Sequence, residues 1–485
     1  MLPRVLFGSI GLPCGIHEVA SYVVRLGLAE VMIYPLGNSF MQQLQTFRPH
    51  VVGLRLESGQ LDNICNLIRN IRQKIETTII LGGPTATSHP IEVLEQTGAD
   101  YVFAGDAEKS FAQFLESARK HNSCNYLPDI PGLAYFWAGK AWVNLPPEDP
   151  LTGIGRPHVD EETLRKNQLN WSLLKGFDRD ITFDSLYLTG GRGCPGRCTF
   201  CCRLHGHHIR TKTAKQIIEE LRGADQLVQK GKLRLTTWQL YEWTNDPVLK
   251  SLPVSWCSVF DEDFFLDRQR ALQFIQLYDF YGFQRRYRLS FQTNPCSLLN
   301  KNGQPDTELF YWISRLKVMI QLGAESFHPE LLRRWNKRHT PEQLEIVLDA
   351  LEKTEQDYNI FHILTDYHST FQELREATEL LLCSARRHPR MRIASTPFMI
   401  PLYHTDLRRE LDFLGRLKIN HFTDYEIPHP EWMDSFVAQW ADKIDETLQN
   451  AIYPQHRNSA LEITAKMIEN SLGKHDLPWV TAVPQ

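Results

Sequence analysis

The first 120 residues alternate short apolar runs with stretches of helical period. The apolar runs fall at Arg4–Ser9, Val31–Tyr34, Val51–Leu56, Thr78–Leu81 and Tyr101–Ala104. Between them lie segments such as Leu61–Lys74, where Ile64, Leu67, Ile68 and Ile71 share one side of a helix. This rhythm predicts an α/β fold with a doubly wound, Rossmann-like parallel sheet, whose ligands sit at the carboxyl ends of the strands. Residues 121–180 break the rhythm and read as a linker, with Pro146-Pro-Glu-Asp-Pro150 as its clearest interruption and a short hairpin around Ala138-Gly139-Lys140.

Strand and helix alternate again from residue 181 to about 405. Strands are expected at Leu186–Gly190, Leu233–Leu240, Val254–Phe260, Arg288–Thr293, Val318–Leu322, Ile360–Leu364 and Arg392–Thr396, with a helix over Thr213–Gln229. Residues 406–485 read as helices, and Trp432, Phe436, Trp440, Ile444 and Leu448 form one apolar stripe suited to core packing.

The composition is that of a globular protein, 42% hydrophobic and 23% charged, in a chain long enough for two or three domains. A net charge of −4 gives no global reason to expect nucleic acid or an anionic membrane as a partner. No apolar run is long enough to cross a bilayer, so no transmembrane segment is expected. Three of the ten cysteines cluster in one loop and the rest are scattered, as free thiols of a reducing compartment would be. A cytoplasmic location is the expectation.

The densest chemistry lies in Gly191-Arg-Gly-Cys194-Pro-Gly-Arg-Cys198-Thr-Phe-Cys201. The spacing C-x3-C-x2-C lets one tight loop aim three thiolates at a cubane, leaving one of its four irons open to a small molecule. A structural zinc loop is the competing reading, with Cys202, His205, His207 or His208 as a fourth ligand. Elsewhere, Gly82-Gly83-Pro84 and Gly105-Asp-Ala-Glu108 each follow a strand of the first sheet directly.

The cysteine run resembles the signature of the radical S-adenosylmethionine (SAM) enzymes. The resemblance implies a partial (β/α)6 barrel, so one of the seven strands is surplus, and the stretch Leu233–Leu252 is the suspect. It also implies a 4Fe-4S cluster on Cys194, Cys198 and Cys201, with Phe200 beside the adenine of SAM. Gly323-Ala-Glu-Ser326 is similar to a SAM-binding segment, implying Glu325 at the amino group with Ser326 beside it. Arg334 and Lys337 match a basic position expected on the following helix. Asp261-Glu-Asp263, Gln292 and Asn294 are further expectations near SAM or substrate, and His404 a weaker one near substrate.

Residues 1–120 resemble the cobalamin-binding domain fused to many such enzymes. That likeness places Ser58, Gly82, Gly83, Pro84 and Gly105 around cobalamin. The Asp-x-His-x-x-Gly loop of other cobalamin proteins is missing: Gly11-Leu-Pro-Cys-Gly-Ile-His17 stands there instead. Cys14 and His17 could each be proposed as a lower cobalt ligand, but the spacing supports neither.

The function implied is reductive cleavage of SAM to a 5′-deoxyadenosyl radical, followed by C-methylation of an unactivated carbon in a small metabolite, lipid or natural product. The implied electron source is an external donor of flavodoxin or ferredoxin type. Two alternatives stay open: a cobalamin-assisted oxidation, cyclisation or rearrangement without methyl transfer, and a non-enzymatic cobalamin sensor with a vestigial cluster. A methylthiotransferase acting on tRNA would be expected to bring a second set of cluster cysteines and a basic tail, and neither is visible.

Overall fold

Two sheets carry the chain, the second wholly parallel and the first parallel but for its edge hairpin. The first contains β1 (Arg4–Ser9), β2 (Glu30–Pro35), β3 (Val51–Arg55), β4 (Thr78–Gly82), β5 (Tyr101–Phe103), β6 (Leu133–Trp137) and β7 (Lys140–Val143). Its order is β2-β1-β3-β4-β5-β6-β7, with β1 to β5 parallel and β6 and β7 antiparallel. The hairpin expected around Ala138-Gly139-Lys140 does form, and it pairs with β5 as the edge of this sheet. The winding direction reverses between β1 and β3, which opens a crevice at their carboxyl ends. In this computed structural model residues 2–11, 14–57, 59–121, 127, 130–146, 155–178, 181–237, 255–415, 435–453 and 455–472 are described.

The second sheet contains β8 (Ser185–Leu188), β11 (Ser255–Val259), β12 (Tyr287–Thr293), β13 (Met319–Glu325), β14 (Tyr358–Thr365) and β15 (Met391–Phe398). All six are parallel, in the order β15-β14-β13-β12-β11-β8, the run of a partial barrel. Of the suspect stretch, Leu235 makes one isolated bridge to Phe183, and residues 238–254 lie outside the described residues. Between β8 and the helix Ala214–Gln229, β9 (Gly191–Arg192) and β10 (Arg210–Thr211) pair antiparallel and pinch the neck of the cysteine loop.

The barrel helices start where their side chains can take up free backbone N–H groups. Thr340 with Gln343 and Thr370 with Glu373 form reciprocal capping boxes ahead of Pro341–Glu352 and Phe371–Arg387. At the other end of the chain the helix Ser435–Leu448 buries Trp440, Ile444 and Leu448, so this part of the apolar stripe is core, and the Phe436 side chain lies outside what is described. Trp432 lies outside the described residues.

Val5, Phe7, Phe103 and Phe111, on one face of the first sheet, belong to a buried cluster continuous with Leu186, Ile217 and Leu289 of the barrel. The opposite face has its own core, built on Leu6, Val52, Ile79 and Leu81. One face of the first sheet is thus committed to the barrel, which brings the carboxyl ends of both sheets together. No helix among the described residues is long and apolar enough to cross a membrane.

Candidate active site between two sheets

The cysteine loop leaves β8 through a turn held by one carboxylate. Asp261 accepts the backbone N–H groups of Gly190 (2.8 Å) and Gly191 (2.7 Å) and pairs with Arg270 at 2.6 Å. A β-carbon on Gly190 would lie 2.8 Å from that carboxylate, so only glycine fits. Further along, Gly193 has a φ of +94° and its missing β-carbon would lie 2.2 Å from the His208 carbonyl oxygen. Cys194 N–H donates to Gly206 O at 3.1 Å, and Thr199 N–H donates to Trp335 O at 3.2 Å. The loop is therefore laced to itself and to the barrel before any ligand arrives. We expect Asp261→Ala, which strips two amides and Arg270 of their partner, to lower the iron retained per chain after anaerobic reconstitution about tenfold; unchanged iron would show the turn to be self-supporting.

The three thiols suit a cluster. Cys194 Sγ and Cys198 Sγ lie 3.2 and 3.9 Å from the position a β-carbon would take at Gly196, so that bare residue leaves room between them. Burial pushes all three thiols up, Cys201 to about 12, so thiolates here require a bound cation to offset the loss of water. Among the described residues no three His, Cys, Asp or Glu side chains close on a single metal ion. His205 and His207 bond to Asp106 and Arg203 respectively.

Glu325 ends β13 at an irregularity in its register with β14 and has a φ of +61°, a strained value for a side chain of this size. Its carboxylate accepts a hydrogen bond from Lys337 Nζ at 3.2 Å, and Lys337 also sits 5.9 Å from the centre of the Phe200 ring. Burial works against the Lys337 charge, but Glu325 and Cys198 more than offset it and its pKa is raised. Glu325, Lys337 and Phe200 thus meet beside Cys198. Lys337 follows the short helix Pro329–Arg334 and is not part of it. Arg334 is held by Asp366 (2.8 Å) and Glu373 (2.9 Å). Ser326 is fully buried and its hydroxyl accepts the His328 N–H, fixing the turn after Glu325.

Of the acidic turn, Asp263 accepts the hydroxyls of Thr293 and Ser297, both at 2.7 Å. With Asp261 and Asp263 occupied in holding the barrel rim, only Glu262 is exposed, and it lines a cavity. Gln292 lines the same cavity, whereas Asn294 caps the turn that follows β12. His404 has a φ of +62° and a pKa lowered to about 4, chiefly by burial. Its neighbour Tyr403 packs on the ring of His89 at 3.6 Å, so this loop docks on the first domain.

That cavity, about 630 Å³, opens where the two sheets face each other. Its walls are strand ends: Gly53 and Arg55 of β3, Gly82 at the end of β4 with Gly83-Pro84 beyond it, Gly105 to Glu108 after β5, and Tyr187, Thr189 and Phe260 from the barrel. Leu204 and His205 of the cysteine loop complete it. Gly83 has a φ of +107° and no room for a β-carbon, which would lie 2.8 Å from Leu56 O. Gly105 is pressed just as closely on the Pro157 carbonyl, at 2.6 Å. Both glycines let backbones close up around the cavity floor, and Gly82, with nothing nearer than 3.8 Å, leaves its wall bare. A roomy, largely apolar hollow at the switch point of the sheet fits a large planar cofactor. Ser58 lies outside the described residues. Cys14 opens the helix Cys14–Arg25 and lines the cavity, while His17 bonds to Asn170 O at 2.9 Å and packs on Trp171, which commits it to the core.

The residues not foreseen from the sequence are charged and buried. Arg192, in the neck of the cysteine loop, pairs with Asp106 at 2.9 Å and Glu108 at 2.6 Å. Arg210, across the neck, also pairs with Asp106, at 3.0 Å. A signal was present: two acids, Asp106 and Glu108, fall within three residues of Gly105, and an arginine stands two residues before the first cysteine.

Residues 7–115 match the B12 binding domain family, and residues 188–381 match the radical SAM superfamily. Over 227 residues the chain is 25% identical to cytidylyl-2-hydroxyethylphosphonate methyltransferase of Streptomyces wedmorensis, covering 41% of this chain and 40% of that protein. A putative methylthiotransferase of Methanocaldococcus jannaschii is 24% identical over 159 residues, 32% of this chain and 30% of its own length. These matches span less than half the length of either relative. Among solved structures, the cobalamin-dependent SAM radical enzyme OxsB with aqua-cobalamin bound superposes with a TM-score of 0.66 at 16% identity, covering 93% of this chain and 68% of that one. The radical SAM methyltransferase TsrM from Kitasatospora setae, with cobalamin and a 4Fe-4S cluster bound, gives 0.60 at 14% identity, covering 85% and 75%. With a B12-binding domain built on its first sheet and a radical SAM domain on its second, the chain belongs to the cobalamin-dependent radical SAM enzymes.

Proposed function

We propose that this enzyme C-methylates an unactivated carbon of a small metabolite, lipid or natural product. The observation that carries the reading is the cavity shared by both sheets, with the cysteine loop in its wall. When bound, the cluster with SAM supplies a radical able to take hydrogen from carbon, and cobalamin supplies the methyl group. The relative named as a methyltransferase supports transfer over other outcomes.

The chain's own groups divide the work. Cys194, Cys198 and Cys201 would hold the cluster, with the lacing of the loop fixing their directions before assembly. Glu325, partly buried and paired with Lys337 at 3.2 Å, is placed to take the ammonium group of SAM, an ionic contact that suits a carboxylate. Phe200 offers a flat face at the same point. Gly82, Gly83, Pro84 and Gly105 form the floor for cobalamin, while Phe7, Ile80 and Phe103 keep water from the cavity. Tyr187 and Phe260, stacked at 4.9 Å, project from the barrel into it. Electrons would come from an external flavodoxin- or ferredoxin-type donor.

The test is anaerobic turnover with methyl-labelled SAM over a panel of candidate metabolites, read by mass spectrometry. Label in a new C–methyl product is expected. Deoxyadenosine released with no methylated product would instead favour cobalamin-assisted chemistry without transfer, and no SAM cleavage at all would favour a sensor.

A further inference from the structure

Asp106 and Glu108 stand just after β5, Glu108 opening the helix Glu108–His121, and line the cavity, yet their charges are spent on the cysteine loop. Asp106 Oδ1 takes Arg192 at 2.9 Å and His205 Nδ1 at 3.2 Å, while Oδ2 takes Arg210 at 3.0 Å and the Val159 N–H at 3.1 Å. Glu108 takes the other arm of Arg192 at 2.6 Å. Arg192, Arg210, Asp106 and Glu108 are each no more than 6% exposed. Burial would raise the Asp106 pKa, but Arg192, His158 and His205 hold it well below the usual carboxylate range, so the hub stays charged.

The geometry has a direction. Arg192 enters the cysteine loop and Arg210 leaves it, paired across the β9–β10 neck, and His205 lies between Cys201 and that exit. All three converge on one carboxylate in the wall of the cavity. When the loop loosens, Asp106 and Glu108 are left as buried unpaired charges, which the wall cannot hold in place. When the loop is ordered, the wall is set in advance for its occupant, and the ordering cost is not charged to binding.

We propose that Asp106 and Glu108, gripping Arg192 and Arg210, couple occupancy of the cavity to order in the cysteine loop, so that corrinoid binding and cluster retention strengthen each other. This rests on cobalamin being the cavity's occupant. Arg192 is a positioning residue here: it also lines the cavity, so its action through the acids is read from the ratio of loaded to cluster-free affinity, not from affinity alone. Linkage requires the effect to run both ways by the same factor.

Equilibrium dialysis with hydroxocobalamin tests it under anaerobic conditions. Cluster-loaded wild type is expected to bind about tenfold tighter than the cluster-free Cys198→Ala protein, within the usual range of such couplings. In Arg192→Gln that ratio should collapse towards one, and Arg192→Lys should restore part of it. Read from the other side, saturating hydroxocobalamin should slow iron loss to a chelator in wild type and not in Arg192→Gln. Loss of iron from Arg192→Gln during purification, with circular dichroism unchanged, would support the same link. Equal affinity of the loaded and cluster-free proteins, or a full ratio retained in Arg192→Gln, overturns the coupling alone. No binding to any form overturns the cobalamin reading as well.

Discussion

Cys198→Ala is expected to reduce bound iron to background, remove the brown cluster absorbance and leave SAM cleavage undetectable. The loop offers three thiols at C-x3-C-x2-C spacing, and a cubane that already has one iron open has no spare protein ligand to lose. Cys202 is next in sequence to Cys201, but it packs near Arg156, whose charge partly offsets the rise in its thiol pKa caused by burial. Cys202→Ala should therefore keep its colour, which separates loss of a ligand from general damage to the loop. The fold should survive Cys198→Ala, because the side chain is only partly buried and neither sheet core includes it. Far-UV circular dichroism superposable on wild type is the expected control. Iron at wild-type stoichiometry in Cys198→Ala would falsify the ligand assignment.

The parts of this molecule that depend on neighbours in sequence were legible from it. The five parallel strands of the first sheet, its helix near residues 61–74 and the helix capped by Thr213 follow from periodicity and capping residues, which act within a turn or two. The cysteine spacing is equally local. What could not be read were pairings between distant positions. Glu108 and Arg192 lie 84 residues apart and Glu18 and Lys212 lie 194 apart, and no local pattern encodes such partners. The same blindness affected the acidic turn at residues 261–263. Three acids after a barrel strand look like ligand groups, yet two of them close the turn and the barrel rim through amides and hydroxyls contributed by residues distant in sequence. Glycines showed the converse. Gly83 and Gly105 were singled out for approach to a cofactor, and the structure adds a constraint from Leu56 and Pro157, whose carbonyls leave no space for a side chain. Charge and glycine in a sequence mark places where something comes close; the fold decides whether it is ligand or protein.

Lys212→Met should produce the largest loss of stability among substitutions outside the cofactor loop, about 3–5 kcal/mol. Lys212 is completely buried and lies 2.5 Å from Glu18 and 2.8 Å from Glu220. Glu18 comes from the helix Cys14–Arg25 of the first domain and Glu220 from the barrel helix Ala214–Gln229, so this ammonium group joins the two domains. Methionine preserves the length of the side chain while removing the charge, leaving two carboxylates facing each other in the core. Asn167 on Glu18 and the Leu169 N–H on Glu220 remain, but neither supplies a cation. The pH dependence carries a sign. Burial already raises the Glu220 pKa to about 7 from 4.5, even with Lys212 opposing it. A raised folded-state pKa favours the fold most below 4.5, and that contribution is lost as pH climbs through about 7. Without Lys212 the shift grows, so the variant should lose most ground at pH 8 and draw closer to wild type at pH 6. Denaturant midpoints of the two proteins at both pH values measure this directly. Adding Glu220→Gln should recover part of the deficit, since it removes one of the stranded charges; a midpoint that neither falls in Lys212→Met nor responds to pH would mean the triad contributes nothing to joining the domains.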